Sequence, residues 1–237
     1  MTAAEFKDIF ESAEFKTGLE EISSYLASVR QEAAIVQLLA KVLWRQKRLY
    51  VLERNKRHDL TIWTPSSPFG DKETNVEFKI HFECDMKVLA DELSKNGNRP
   101  LKEMWDLVLA KKISKSWSVM ANIYGDFCVK APHIFVWIIH FRNLRNLRPE
   151  ARGRVCWAKE TMKWLANNPN AATDRTYVNV ADDYLARLGR ERPLVARPHE
   201  VDISTSGDFP SVYHIRVCEF PDASQKTARQ EPRPPGH

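Results

Sequence analysis

Val76-Glu77-Phe78-Lys79-Ile80-His81-Phe82 alternates apolar and polar residues along its whole length. Side chains in a strand point to opposite faces in turn. Val76, Phe78, Ile80 and Phe82 therefore make a core face, and Glu77, Lys79 and His81 share the other. A second strand is read upstream in His58-Asp59-Leu60-Thr61-Ile62-Trp63. The segment between them carries Pro65, Pro68, Gly70 and Asp71, which is turn chemistry. The two strands are expected to pair antiparallel, bringing Asp59 within reach of Glu77 and Lys79.

Working outward, Leu49-Tyr50-Val51-Leu52 reads as a strand that forms a hairpin with the Asp59 strand across a short polar link. Before it, a short amphipathic helix is expected from about Glu5 to Phe15, interrupted by Gly18. A longer helix runs from Leu19 to about Lys47, with Ile22, Tyr25, Leu26, Val29, Val36, Leu39 and Leu43 at helical spacing. After it, Asp85–Ser94, Pro100–Lys115, Ser116–Phe127, Val155–Ala166 and Asp182–Leu188 read as helices. The unbroken apolar run in His133–Phe141 reads as a strand buried on both faces at the centre of a sheet. Late strands are expected at Leu194–Ile203 and Val212–Phe220. The fold class is therefore α/β, a mixed sheet flanked by helices in one domain over 1–220. Its core lies at about 20–142, its extension at 143–220, and 221–237 form a proline-bearing tail expected to be disordered.

Composition sets the outer limits. The chain has 237 residues, 43% hydrophobic and 28% charged, which suffices for one sizeable core. The net charge of +5 and pI near 9.0 suit a polyanionic partner without requiring one. Cys84, Cys128, Cys156 and Cys218 lie far apart, with no CxxC pair to hold zinc, and are expected to be reduced thiols. The first residues lack a basic start followed by an apolar run, and Ile134–Ile139 is far too short to cross a bilayer. A cytoplasmic protein without membrane contact is the expectation.

Two carboxylates and a lysine on neighbouring strands match the needs of phosphodiester hydrolysis. The water must be made nucleophilic, the phosphate held and the leaving oxygen neutralised, and a divalent ion on carboxylates supplies much of this. Asp59 and Glu77 are candidate ligands, with the Phe78 carbonyl as a third, and Lys79 is the candidate cation for the attacking water and the developing charge. Mg²⁺ suits such hard oxygens, with Mn²⁺ as its substitute. Glu32 interrupts the apolar stripe of the long helix and asks for a partner, either a metal, Lys79 or Arg30. Glu20 and Glu21 are weaker candidates near the helix start. The plainer account of Asp59, Glu77 and Lys79 is a solvated face with a cross-strand ion pair. His81 either touches phosphate or makes a satisfied polar contact, while His58 is assigned to the opposite face. Lys111, Lys112 and Lys115, with Arg142, Arg145, Arg148, Arg152 and Arg154, are basic groups suited to a phosphate backbone or simply to solvent.

A helix bearing Glu32, three strands carrying Asp59 and then Glu77-Phe78-Lys79, a helix and a buried strand together resemble the PD-(D/E)xK nuclease superfamily, with its restriction-endonuclease-like fold. The resemblance spans roughly Glu20 to Phe141, and His58 stands where the motif often has proline. It implies Mg²⁺-dependent DNA cleavage to a 5′-phosphate. Asp59 would stand as the motif aspartate, Glu77 as its second acid, Lys79 as its lysine and Glu32 as the helix glutamate. Cutting both strands of a duplex would favour a homodimer. The alternative is the same fold without activity, serving as a binding, immunity or antitoxin module. A site open to solvent favours the first reading, and a plugged one the second.

Overall fold

Six strands make one mixed sheet: β1 (Leu49–Leu52), β2 (Leu60–Pro65), β3 (Asp71–Phe82), β4 (Ile134–Arg142), β5 (His199–Thr205) and β6 (Ser211–Glu219). Their spatial order is β1-β2-β3-β4-β6-β5. The computed structural model describes residues 1–25, 31–46, 49–52, 58–65, 71–96, 99–112, 118–142, 174–206 and 210–221. Every neighbouring pair is antiparallel except β3 and β4, which run parallel. A parallel pair needs a long crossover. The described part of that connection contains α4 (Glu83–Asn96), α5 (Leu101–Leu109) and α6 (Val119–Tyr124).

The sheet is the middle of three layers. On one side, α1 (Ala3–Glu11), α2 (Ala13–Tyr25) and α3 (Gln31–Arg45) bury Phe6, Phe10, Phe15, Leu19, Leu39 and Leu43 against Val76, Phe78, Ile134, Val136 and Ile215. On the other side, α4, α6 and α7 (Asp174–Glu191) bury Met86, Leu89, Met120, Tyr184 and Leu185 against Phe135, Trp137 and Ile139. Residues Ile134 to Ile139 of β4 are thus buried on both faces, as a central strand should be. Full burial of an aromatic or branched side chain contributes about 1.5–3 kcal/mol, so Val76 and Phe78 fix the register of β3. A slip by one residue would drive Glu77 and Lys79 into the apolar layer.

The helical segments differ from expectation at several points. Gly18 lies inside α2 and interrupts nothing; a Cβ there would collide with the Leu38 side chain, so glycine lets α2 approach α3 closely. The break falls instead at Ser12, whose hydroxyl donates to the Ile9 carbonyl and accepts from the Phe15 amide. The expected long helix is represented by α2 and α3, the residues between them lying outside the described set. Beyond α6 the chain widens into a π-helical turn, Gly125–Val129. The expected helix at Val155–Ala166 and the tail from 222 onward lie outside the described residues. No described helix is long and apolar enough to cross a membrane.

Candidate functional site

β3 outruns its neighbour. β2 pairs only with Asp71 to Val76, whereas β4 pairs with Val76 to Phe82. Alternate residues of a strand present their amides to the same edge. From Phe78 onward, that edge therefore has no strand partner among the described residues, and carboxylates take its place. The Phe78 N–H donates to Asp59 Oδ2 at 2.7 Å, the Ile80 N–H to Glu32 Oε2 at 3.0 Å and the Phe82 N–H to Asp85 Oδ2 at 2.9 Å. Hydrogen bonds to a charged acceptor are the stronger kind, and they explain why Asp59, just ahead of β2, and Glu32, in the first turn of α3, converge on β3. A residue's carbonyl lies on the same edge as its amide, so the Phe78 carbonyl faces this edge too.

Glu77 and Lys79 point the other way, into the layer of α4 and α6. Glu77 is 1% exposed. Its Oε1 accepts from the Lys130 ammonium, which also lies 3.1 Å from Asp126 Oδ1. Lys79 Nζ is 2.9 Å from Asp126 Oδ2. The side chains thus alternate in charge, from Glu77 to Lys130 to Asp126 to Lys79. Glu77 Oε2 is buried and makes no hydrogen bond, with His58 Nδ1 at 3.8 Å. Among the described residues, Asp59, Glu32 and Glu77 each anchor one oxygen on a protein donor and leave the other without a hydrogen bond.

Electrostatics sharpen the picture. Burial, joined by repulsion from Glu77, pushes the Asp59 carboxyl up to about 7 despite the Phe78 amide. Burial likewise raises Glu32, against the pull of Lys79 and the Ile80 amide. Burial works against the Lys79 ammonium, but Asp126 and Glu32 outweigh it and hold Lys79 above the ordinary lysine value. Lys130 is raised in the same way, burial being overcome by Glu77 and Asp126. Four carboxyl groups (Glu32, Asp59, Glu77, Asp126) thus surround two ammonium groups, and full ionisation would leave an excess of two negative charges.

Asp126 reaches the cluster from the π-helical turn, a rare widening that often marks functional sites. Gly125 opens the turn against Trp105, and a Cβ there would lie 2.5 Å from the indole. A rigid ring cannot give way as a flexible tip can. Gly125→Ala is expected to destabilise the protein by about 1–3 kcal/mol, read as a lower midpoint in urea; an unchanged midpoint would show that the turn has room.

Asp59, Glu77, Lys79 and Glu32 are therefore brought together. Asp126, Lys130 and His58 join them, although the sequence reading passed over the first two and placed His58 on the opposite face. His58 precedes the first residue of β2, where strict alternation no longer holds. His81 is buried in the core, accepts from the Trp137 indole at 3.0 Å and is held down at about 3 by burial and Lys79. It is a neutral core contact, not a surface group for phosphate. Lys111 and Lys112 are exposed beyond α5 and make no ion pair with this cluster, while Lys115 and Arg145 to Arg154 lie outside the described residues. Glu20 instead accepts from Ser206, just past the end of β5. A separate groove of about 500 Å³ lies along α7, lined by Leu185, Leu194, Ala196 and Pro198. Its Asp182 is already bound in a fork to Arg216.

Among the described residues no three Asp, Glu, His or Cys side chains are already gathered as a metal cage. No known protein family, curated protein or solved structure matches the chain.

Proposed function

We propose that this cluster hydrolyses DNA phosphodiester bonds with Mg²⁺, Mn²⁺ serving as substitute, in a restriction-endonuclease-like fold of the PD-(D/E)xK type. The observation that carries the reading is the set of half-used carboxylates. Asp59, Glu77 and Glu32 are oriented by one oxygen each, and a buried Glu77 oxygen has no hydrogen bond. More carboxyl groups than ammonium groups in a buried setting suit a divalent cation, which would favour their ionised forms. The residues present fit that cation: Asp59, Glu77 and the Phe78 carbonyl would hold it. When bound, it would polarise the phosphate and lower the pKa of a coordinated water.

The protein's own groups do the rest. Lys79, kept charged by Asp126, offers its ammonium to the non-bridging phosphate oxygens, where negative charge grows. The second oxygen of Glu32 would accept a hydrogen bond from water. Hydrolysis adds water across the phosphorus–oxygen bond, water's oxygen joining phosphorus and the departing 3′ oxygen taking a proton, which leaves a 5′-phosphate. One cluster per chain would cut one strand, so a homodimer would serve duplex cleavage.

Nuclease assays with Mg²⁺ test the reading. Wild type should cleave, and Lys79→Ala should lose about a hundredfold in rate, the scale for removing one group that stabilises transition-state charge. Equal cleavage by both, or none by either across single- and double-stranded DNA, would overturn it. The second reading, an inactive binding, immunity or antitoxin module, is favoured by one observation: Lys130 already covers Glu77.

A further inference from the structure

Lys130 is the outermost of the groups paired around Glu77. Its side chain is 35% exposed, against 19% for Lys79, 12% for His58 and 1% for both Glu77 and Asp126. The ammonium pairs with both buried carboxylates, while its side chain is the most exposed of this set. Lysine carries its charge at the end of a flexible four-carbon stem, so Lys130 can swing into water. The carboxylates behind it, fixed to β3 and the π-helical turn, cannot. A divalent cation held at Glu77 would lie close to this ammonium, and like charges a few ångströms apart in a partly buried site repel strongly.

We propose that Lys130 is a displaceable counter-cation on Glu77 that competes with a divalent cation for the site. The inference rests on the reading of this cluster as a cation site. In the resting protein Lys130 neutralises part of the carboxylate charge, and its departure is coupled to cation entry. Any ligand that binds the released ammonium, such as a phosphodiester, then favours the loaded state. The site would fill best when cation and polyanion arrive together.

Mn²⁺ binding to the full chain, followed by calorimetry without nucleic acid, tests this separately from cleavage. Lys130→Gln is expected to bind Mn²⁺ at least threefold more tightly than wild type, and Lys130→Arg, which keeps the charge, to remain close to wild type. Lys79→Gln removes the same charge but leaves Glu77 covered, so it should tighten binding less. Thermal melts confirm that each variant is folded. Detectable Mn²⁺ binding by Lys130→Gln alone would also support the proposal. Equal or weaker binding by Lys130→Gln, or equal tightening in Lys79→Gln, would overturn the displaceable cover while leaving the nuclease reading intact. No binding by wild type or by either glutamine variant would overturn both.

Discussion

Asp126→Ala is expected to lower the unfolding free energy by about 3–5 kcal/mol, the range found when one partner of a buried ion pair is removed. The carboxylate is 1% exposed and receives two ammonium groups, Lys79 at 2.9 Å and Lys130 at 3.1 Å. Lys130 keeps its hydrogen bond to Glu77 when Asp126 goes. Lys79 stays where it is, because β3 fixes its base and its side chain is 19% exposed. It would be left as a buried charge facing only the longer-range pull of Glu32. Asp126→Asn keeps the shape and one acceptor, so its loss should be smaller, about 1–3 kcal/mol. Lys87 and Asp91 provide the contrast. Their 2.8 Å contact links adjacent turns of α4 in full view of solvent, and breaking it should change stability by no more than about 0.5 kcal/mol. Urea unfolding of Asp126→Ala, Asp126→Asn and Lys87→Ala measures this ordering. A loss below 1 kcal/mol for Asp126→Ala would show that the pair is not formed in solution.

Why Asp126 escaped the sequence reading is instructive beside what did not. Glu77 and Lys79 were legible because the strict alternation of β3 leaves no second choice of face, and Glu32 because it breaks an apolar stripe. Asp126 sends the same signal as Glu32. It follows Ile123 by three positions, within the buried series Met120, Ile123 and Phe127. The signal is blurred because the helix ends there and widens into a π-helical turn, a change of period that local sequence does not announce. Lys130, four residues further on, acquires meaning only once Glu77 is known to lie beneath it. The pairing of β1, β2 and β3 followed from short links with turn residues. The side-by-side placement of β3 and β4 depends on burial over a long crossover, and only the apolar content of β4 hinted at it. The edge-capping role of Asp59, Glu32 and Asp85 was likewise hidden, since it arises from the mismatch in length between β2 and β3.

Asp59→Asn should act in opposite directions on the metal-free protein and on cation binding. The Asp59 carboxyl titrates at about 7 in the fold, against its ordinary 3.8, through burial first and then Glu77. Between those two values the folded state holds a proton that the unfolded chain has released. Wild-type stability therefore falls as pH rises from about 4 to 7, at up to roughly 1.4 kcal/mol per unit, and levels off above that window. Summed over the window, this term is on the order of 4 kcal/mol. Asparagine keeps an oxygen to accept from the Phe78 N–H but has no charge to bury. In EDTA at pH 8, Asp59→Asn should thus be the more stable protein, by on the order of 2–4 kcal/mol, whereas at pH 4 the two should coincide. Cation binding reverses the ranking. A metal needs the ionised carboxylate, so wild-type affinity for Mn²⁺ should fall by up to tenfold per unit below pH 7, and the variant should lose most of its affinity at every pH. Urea melts at pH 4, 6 and 8, with EDTA and with Mn²⁺, read both arms at once. A variant less stable than wild type at pH 8 in EDTA would mean that Asp59 serves β3 as an edge cap, its charge balanced by groups that do not require a metal.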